Sequence, residues 1–310
     1  MGTPEFAVPS LRELARACDV VRVVTQPDRP RGRGQQTSES PVAKAAGELG
    51  LPVMRPAGMK APEVLAELSS IGADVFAVVA FGAILTPAVL AAPRAGCVNL
   101  HGSLLPDFRG AAPVQRALWE DRAKTGVCTL FMDQGIDTGD VIRCLETPIG
   151  DDEDAGTLAA RLAELGGPLL SESVRLAADG TAPRSPQDRA AGSYANKLRK
   201  EDGVVDWRLP ARIVWSHARA VTPWPGATTA FRGKRVLIVR ARPEAGAHAA
   251  EPGTILDFDE GGIRVACADG ALRVTKIKPE GRAILAAAEW ARGARPEPGE
   301  RFGAMKEQTT

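Results

Sequence analysis

The stretch CVNLHGSLLP at residues 97–106 joins an apolar run to a turn. Residues 97–100 predict a strand, and the two-residue period of a strand sends Asn99 and His101 to the same face. Gly102 and the Leu105-Pro106 pair then predict a turn. Because ligands bind beyond the carboxyl ends of strands in open α/β sheets, this face would overlook a binding crevice. An amide beside an imidazole suits a reaction that places negative charge on a carbonyl oxygen, although a strand-end histidine and a turn asparagine without function have the same spacing.

A second polar turn, MDQGIDTGD at residues 132–140, follows the next apolar run at 127–131. One interpretation is an Asp- and Gly-rich hairpin turn that has no chemical role. The other starts from the need of a reactive imidazole for a carboxylate, which holds its tautomer and stabilises its charged form. Asp137 lies in the middle of this turn and is the best-placed candidate to approach His101.

The first 180 residues alternate predicted strands and helices. Apolar runs predict strands at 20–25, 51–54, 75–80, 98–100, 127–132 and 141–147. Helical spacing, or a proline at the first helical position, predicts helices at 11–18, 41–49, 62–70, 87–90, 112–119 and 155–177. The alternation predicts an α/β domain at 1–180 with a doubly wound, mostly parallel sheet.

The composition changes after this region. Residues 181–200 are polar and rich in proline, glycine and serine, which predicts a linker. In residues 201–310, a helix at 211–220 precedes short alternating runs at 227–231, 235–239, 254–258, 263–267 and 272–277. Turn pairs such as Gly261-Gly262 separate these runs, so the pattern predicts a small antiparallel barrel.

Composition limits the classes of function. The 310 residues are 44 % hydrophobic and 25 % charged with a net charge of +1, so affinity for nucleic acid would need local clusters. The sequence has no targeting pattern and no apolar stretch long enough to cross a bilayer, and we expect a cytoplasmic protein.

The cysteines lack C-x-x-C spacing, and we predict that they are buried, reduced thiols: Cys18, Cys97, Cys128, Cys144 and Cys267. The histidines His101, His217 and His248 lack ligand spacing, and we expect no metal; we interpret His217 as a packing or surface residue.

A basic loop follows the predicted strand at 20–25. Arg29, Arg31 and Arg33 alternate with proline and glycine. They are either a solvated charge run or a set of phosphate contacts. The RGRG string is not a dinucleotide fingerprint, because the third glycine is missing and no helix follows directly.

The two polar turns together resemble the active-site pattern of the folate-dependent formyltransferases. That pattern, N-x-H-x-S-x-L-P-x-x-x-G followed by D-x-x-x-D-x-G, falls on Asn99, His101, Ser103, Leu105, Pro106 and Gly110, then on Asp133, Asp137 and Gly139. Further strings resemble the members of the family that act on initiator methionyl-tRNA: GTPEFAVPSL, TQPDRPRGRG, RGAAPVQRALWED, KEDGVVDW and TPWPGA.

The resemblance implies a Rossmann-like catalytic domain, a C-terminal OB-like barrel and formyl transfer from 10-formyltetrahydrofolate to an amine. It implies that Asn99 and protonated His101 donate to the formyl oxygen, and that Asp137 holds His101 and helps to relay a proton. The implied folate-binding residues are Phe81, Gly82, Ile84, Leu85, Ser103, Leu104, Leu105, Pro106 and Gln134.

The resemblance also implies the second substrate, initiator methionyl-tRNA. Its acceptor arm would be bound by the basic loop, with Arg33 as the wedge. The implied tRNA-binding residues are Arg29, Arg31, Arg33, Lys197, Arg199 and Lys200. We expect a monomer with no membrane partner.

The residues Met1-Gly2-Thr3-Pro4 resemble the loop that follows the first, central strand in the family, so we expect a longer natural product whose upstream residues supply that strand. The nearest alternative is a formyltransferase for a sugar nucleotide or a glycinamide. The basic loop and the barrel together argue against a glycinamide enzyme, which lacks a comparable second domain. The family's sugar-nucleotide enzymes have such a barrel, so only the PDRPRGRG loop argues against them. An alternative of another class is a non-catalytic RNA-binding module, which would need none of Asn99, His101 and Asp137.

Overall fold

The computed structural model describes residues 1–31, 36–297 and 299–303. The chain forms two compact units. The first consists of Met1–Pro113, Lys124–Pro148 and Leu158–Asn196, and the second of Val114–Ala123, Ile149–Thr157 and the described residues from Lys197 onward. The second unit therefore includes two short segments from the first 180 residues, and the first unit extends to Asn196 and not to the predicted boundary at 180.

The helices are α1 (Val8–Ala17), α2 (Pro41–Glu48), α3 (Pro62–Ser70), α4 (Pro87–Leu90), α5 (Pro113–Trp119), α6 (Ala155–Ala178), α7 (Ala211–Ala220) and α8 (Ala287–Ala294). The strands up to residue 195 are β1 (Val23–Val24), β2 (Arg29–Arg31), β3 (Gln36–Ser38), β4 (Val53–Met54), β5 (Phe76–Val78), β6 (Cys97–His101), β7 (Arg109–Gly110), β8 (Lys124–Phe131), β9 (Val141–Pro148) and β10 (Tyr194–Ala195). The later strands are β11 (Ala227–Phe231), β12 (Lys234–Glu244), β13 (Ile255–Asp259), β14 (Gly262–Ala266), β15 (Ala271–Pro279), β16 (Leu285–Ala286) and β17 (Phe302–Gly303).

The first unit is an α/β structure, as predicted, but its sheet is mixed. Strand β1 pairs with β4 and β5 with β6 in parallel, whereas β6–β8 and β8–β9 are antiparallel. The short turn at 132–140 explains why β8 and β9 are antiparallel. So short a connection can join antiparallel neighbours but cannot make the crossover that parallel strands need.

Helices cover both faces of β6. Cys97 faces a core that α3 and α4 share with β5, through residues such as Leu68, Val89 and Phe76. On the other face α6 approaches Leu100 closely, since a Cβ atom on Gly166 would lie 2.5 Å from Leu100 Cδ2. The predicted helix at 155–177 is confirmed, and Asn99 and His101 belong to the face opposite Leu100.

The first residues lie between β1 and β5. The Gly2 N–H donates to Val24 O at 3.0 Å, and the Met1 amine donates to Ala77 O at 2.6 Å. Beside them is a cavity of about 420 Å³ lined by residues of β1, β5, α1 and α3. Burial lowers the pKa of the Met1 amine to about 6.

The segment predicted as a linker is bound to the first unit over most of its length. Strand β10 pairs in parallel with β7, and Ser185 forms an antiparallel bridge with Val141. The linker interpretation is therefore wrong up to residue 195. A segment without apolar periodicity can still satisfy its backbone groups at the edges of strands.

The expectation of reduced thiols is wrong for Cys128 and Cys144. These residues lie opposite each other on β8 and β9 and form a disulfide. Cys97 and Cys267 are buried free thiols, and burial raises the pKa of each to about 12. Burial also raises the pKa of Cys18.

The second unit is a curled antiparallel sheet with the strand order β13-β14-β15-β12-β11-β17, and β16 pairs with β15. A bridge between Thr254 and Arg301 brings the two ends of this order together, which is a barrel-like arrangement. Helices α7 and α8 contribute to its core through residues such as Trp215 and Ala291. Helix α8 was not predicted, because its buried residues are alanines and Trp290 is its one large apolar side chain against the core. Within the described ranges, we find no helix with the length and apolarity needed to span a membrane.

Candidate active site

The carboxyl end of β6 places Asn99 and His101 in a buried environment, 9 % and 5 % exposed. The His101 imidazole lies between two oxygen atoms: Nε2 is 2.9 Å from Phe108 O, and Nδ1 is 3.4 Å from Asp137 Oδ2. A carbonyl oxygen only accepts hydrogen bonds, so Nε2 must carry a hydrogen. When Nδ1 is protonated as well, it donates to Asp137.

The Asp137 carboxylate accepts hydrogen bonds from two further donors. Asn99 Nδ2 donates to its Oδ1 at 3.3 Å, and the Gly110 N–H donates to its Oδ2 at 2.8 Å. The structure thus brings together Asn99, His101 and Asp137, which come from two separate turns of the sequence. The arrangement provides an amide and an imidazole that both contact one carboxylate, which is suited to acid–base chemistry.

Asp137 has a left-handed backbone conformation, with a φ of +54°. A residue other than glycine rarely adopts this conformation, and where it does the site is often functional. The turn is tight next to it, because a Cβ atom on Gly139 would lie 1.9 Å from Phe131 O. The backbone therefore fixes the direction in which the Asp137 carboxylate points.

The other aspartates of the turn have different partners. Asp133 accepts from the Gly135 N–H and from the Thr138 hydroxyl, and so it stabilises the turn itself. Asp140 forms an exposed ion pair with Arg184. The three carboxylates of the turn thus have different partners, and Asp137, the candidate that the sequence favoured, is the one that contacts His101.

Arg109 and Gln187 complete the site, and sequence reasoning did not single them out. Arg109 donates from Nε and Nη2 to Gln187 Oε1, at 3.1 and 2.9 Å. Gln187 Nε2 donates in turn to the backbone oxygens of Asp137 and Gly139, at 2.9 and 2.7 Å. A sequence signal existed for Arg109, which follows the first polar turn, but none for Gln187.

The predicted folate-binding residues fall into buried and accessible groups. Phe81 and Leu85 belong to the core, and the Ser103 hydroxyl donates to Asp107 O at 2.7 Å, which stabilises its own loop. Leu104, Leu105 and Pro106 are half-buried. Gly82 and Gln134 are exposed, and Ile84 is 90 % exposed.

The predicted tRNA-binding residues lie in both units. Arg29 and Arg31 belong to β2, which pairs antiparallel with β3, and Arg33 lies outside the described residues. Lys197, Arg199 and Lys200 are exposed in the second unit. In the described part of the chain, no three His, Cys, Asp or Glu side chains are grouped so as to hold a metal ion.

Comparison with known proteins defines the class. The family profile named formyl transferase matches residues 5–174, and the profile of the formyl transferase C-terminal domain matches residues 197–295. The chain belongs to the formyl transferase family.

Similar sequences cover nearly the whole chain. It is 43 % identical to the methionyl-tRNA formyltransferase of Geobacter metallireducens, over 98 % of this chain and 97 % of the relative. It is 46 % identical to the methionyl-tRNA formyltransferase of Symbiobacterium thermophilum, over 97 % of this chain and 94 % of the relative.

Solved structures show the same fold at lower identity. The sugar 3N-formyl transferase WlaRD has a TM-score of 0.62 at 15 % identity, covering 91 % of this chain and 97 % of its own. HypX from Aquifex aeolicus has a TM-score of 0.60 at 20 % identity, covering 90 % of this chain and 48 % of its own.

Proposed function

We propose that this chain transfers a formyl group from 10-formyltetrahydrofolate to the amino group of initiator methionyl-tRNA. The contact of Asn99 and His101 with the Asp137 carboxylate carries the proposal. The full-length similarity to proteins named methionyl-tRNA formyltransferase supports the choice of the amine.

The chemistry follows from the donors of the site. The attacking amine must be neutral, and the formyl oxygen gains negative charge as the tetrahedral intermediate forms. Asn99 donates one amide hydrogen to Asp137 and has a second to offer to that oxygen, with protonated His101 beside it. One such donor is worth ~3 kcal/mol in the transition state. Asp137 holds His101 and helps to move the proton of the amine toward the departing folate nitrogen.

The folate co-substrate would be held by the loops around these residues. Gly82 has a φ of +79° and is exposed, which leaves backbone groups accessible to a pterin edge. Leu104, Leu105 and Pro106 would provide apolar contacts, and Gln134 polar ones. Phe81, Leu85 and Ser103 would act by shaping the loops, because their side chains are buried.

For the tRNA we propose contacts from Arg29, Arg31 and Arg33 and from Lys197, Arg199 and Lys200. Lys197, Arg199 and Lys200 are exposed, and exposed cations can contact phosphate groups. We propose an OB-like barrel for the second unit because its antiparallel sheet curls until its two ends meet. A cytoplasmic monomer is the simplest form of such an enzyme.

A substrate competition tests the proposal. The enzyme is offered initiator methionyl-tRNA and a nucleotide-linked amino sugar, each with and without 10-formyltetrahydrofolate. We expect formylmethionyl-tRNA only when the folate is present. Formylation of the sugar alone would overturn the proposal in favour of the sugar-nucleotide alternative.

The basic loop is tested separately with an Arg29/Arg31/Arg33 triple-alanine variant. Each lost phosphate contact should reduce the slope of log K against log salt for tRNA by about 1, while the KM for the folate is unchanged. The matched control is Arg12→Ala, which removes an exposed arginine paired with Glu48 on α2. Unchanged tRNA kinetics in the triple variant would mean that the loop does not bind tRNA and is a solvated charge run.

A further inference from the structure

The Arg109 side chain is buried to an unusual degree for a cation, with 1 % of its surface exposed. Within the described residues its guanidinium forms no ion pair. Its donors instead reach neutral oxygens: Gln187 Oε1, Asp188 O at 3.0 Å and Ala191 O at 3.1 Å. Burying a cation without a carboxylate is unfavourable, so the chain retains this arrangement at a cost in stability.

Gln187 connects the buried guanidinium to the Asp137 turn. Its side-chain oxygen accepts two hydrogen bonds from Arg109, and its nitrogen donates to Asp137 O and Gly139 O. The opposite orientation of the amide would place NH₂ against a guanidinium and an oxygen against two carbonyls. Arg109 therefore fixes the direction in which Gln187 donates.

Three consecutive residues of the chain are connected to the proposed catalytic pair, two of them directly and Arg109 through Gln187. Phe108 O accepts from His101, the Arg109 side chain reaches Asp137 through Gln187, and the Gly110 N–H donates to Asp137 Oδ2. The Asp137 carboxylate and its backbone oxygen are thus held from the same short segment.

The middle of the turn is exposed on its outer side. Gln134, Gly135 and Ile136 are exposed, and Ile136 is 62 % exposed. The two hydrogen bonds from Gln187 hold the backbone at the left-handed Asp137 and two residues after it. Without them, the backbone at Asp137 could relax toward the more favourable right-handed region and turn the carboxylate away from His101.

We infer that Arg109 and Gln187 form a positioning pair, in which a buried guanidinium orients an amide that holds Asp137 in place for proton transfer. The inference rests on the proposed function, because it assigns the pair to the proposed catalytic carboxylate. Arg109 and Gln187 do not contact the reacting atoms.

The decisive variant is Gln187→Glu. It keeps an oxygen for Arg109 but replaces the donor with an acceptor, which repels the backbone oxygens of Asp137 and Gly139. We expect kcat to fall about 10- to 100-fold with both KM values within about threefold of wild type. Gln187→Met, which has a similar length and no donor, should show the same loss.

The matched control is Arg189→Ala. Arg189 contacts the same turn from the exposed side, through Asp133 at 3.1 Å, and its loss should leave kcat within about twofold of wild type. Hydrogen exchange gives a second readout: amides of residues 132–140 and of Gly110 should exchange faster in both Gln187 variants and not in the control.

The outcomes separate the inference from the proposed function. Wild-type kcat or unchanged exchange in a folded Gln187 variant overturns the positioning pair. A wild-type enzyme that does not formylate methionyl-tRNA, with faster exchange in the Gln187 variants, overturns the function and leaves the pair standing.

Discussion

His101 in the first unit and His217 in the second have similar backbone contacts and different neighbours. Both rings are buried, and in both Nε2 donates to a carbonyl oxygen, Phe108 O at 2.9 Å and Asp202 O at 2.6 Å. The other side of His101 faces the Asp137 carboxylate, whereas the His217 ring packs edge-on against Trp119 with centroids 4.5 Å apart. A carboxylate makes a buried imidazole a candidate acid–base group, and an indole makes it a packing residue.

The largest expected effect is on the first histidine. His101→Ala or Asp137→Asn should lower kcat by a factor of ~100 or more, because each removes part of the charge stabilisation and proton relay. Steady-state formyl transfer measures the rate, and thermal unfolding with folate binding serves as the folding control. Near-normal turnover in either folded variant would contradict the proposed mechanism.

The second histidine should show the reverse pattern. His217→Ala removes the contact with Trp119 and leaves Asp202 O without the hydrogen bond from His217. The free energy of unfolding should therefore be roughly 2–4 kcal/mol lower than in wild type. We expect kcat to stay within about threefold of wild type. Urea unfolding and formyl-transfer assays on the same preparation measure the stability and kcat. A large loss of kcat at unchanged stability would contradict the interpretation of His217 as a packing residue.

The smallest effect is a pH dependence of stability. Burial lowers the pKa of His217 from its ordinary value of 6.5, with a smaller opposing contribution from the hydrogen bond to Asp202. The folded state then binds fewer protons than the unfolded state as the pH falls below 6.5. Acidification through that region should therefore lower the free energy of unfolding.

The matched variant for this dependence is His217→Gln, which keeps a donor near Asp202 O and cannot titrate. Urea unfolding at several pH values should show a shallower decline in stability for the variant than for wild type. Identical pH profiles for the two proteins would mean that His217 does not contribute.

The sequence predicted the elements of the first unit that carry regular apolar patterns. Helix α3 and the near-complete extent of α6 are confirmed, as is the α/β class, and the strand predicted at 98–100 is present as β6, Cys97–His101. The contact of Asp137 with His101 was expected from the general need of a reactive imidazole for a carboxylate. Hydrophobic periodicity shows which residues of a single helix or strand are buried. These predictions concerned single elements, so they required no knowledge of how the elements pack together.

The remaining features depend on register and on distant segments. The Cys128–Cys144 disulfide follows from which residues of β8 and β9 lie opposite each other, and no pattern in the sequence gives that register. Gln187 lies in a segment without periodicity, where composition predicted a linker. Its contacts with Arg109 and Asp137 depend on the tertiary arrangement in which β10 pairs with β7.

The attachment of the 185–195 segment to Arg109 and Gly110 has a consequence for synthesis of the chain. The residues that Arg109 contacts lie 78 to 82 positions later in the sequence. At about 5–20 residues per second, a ribosome needs roughly 4–16 s to add them after Arg109 is made. During that interval the nascent chain holds a guanidinium that has yet to meet its acceptors and an Asp137 turn without its inner support. Assembly of the proposed catalytic site is therefore a late event in the synthesis of the first unit, and nascent chains arrested before Gln187 should lack its hydrogen bonds to the Asp137 turn.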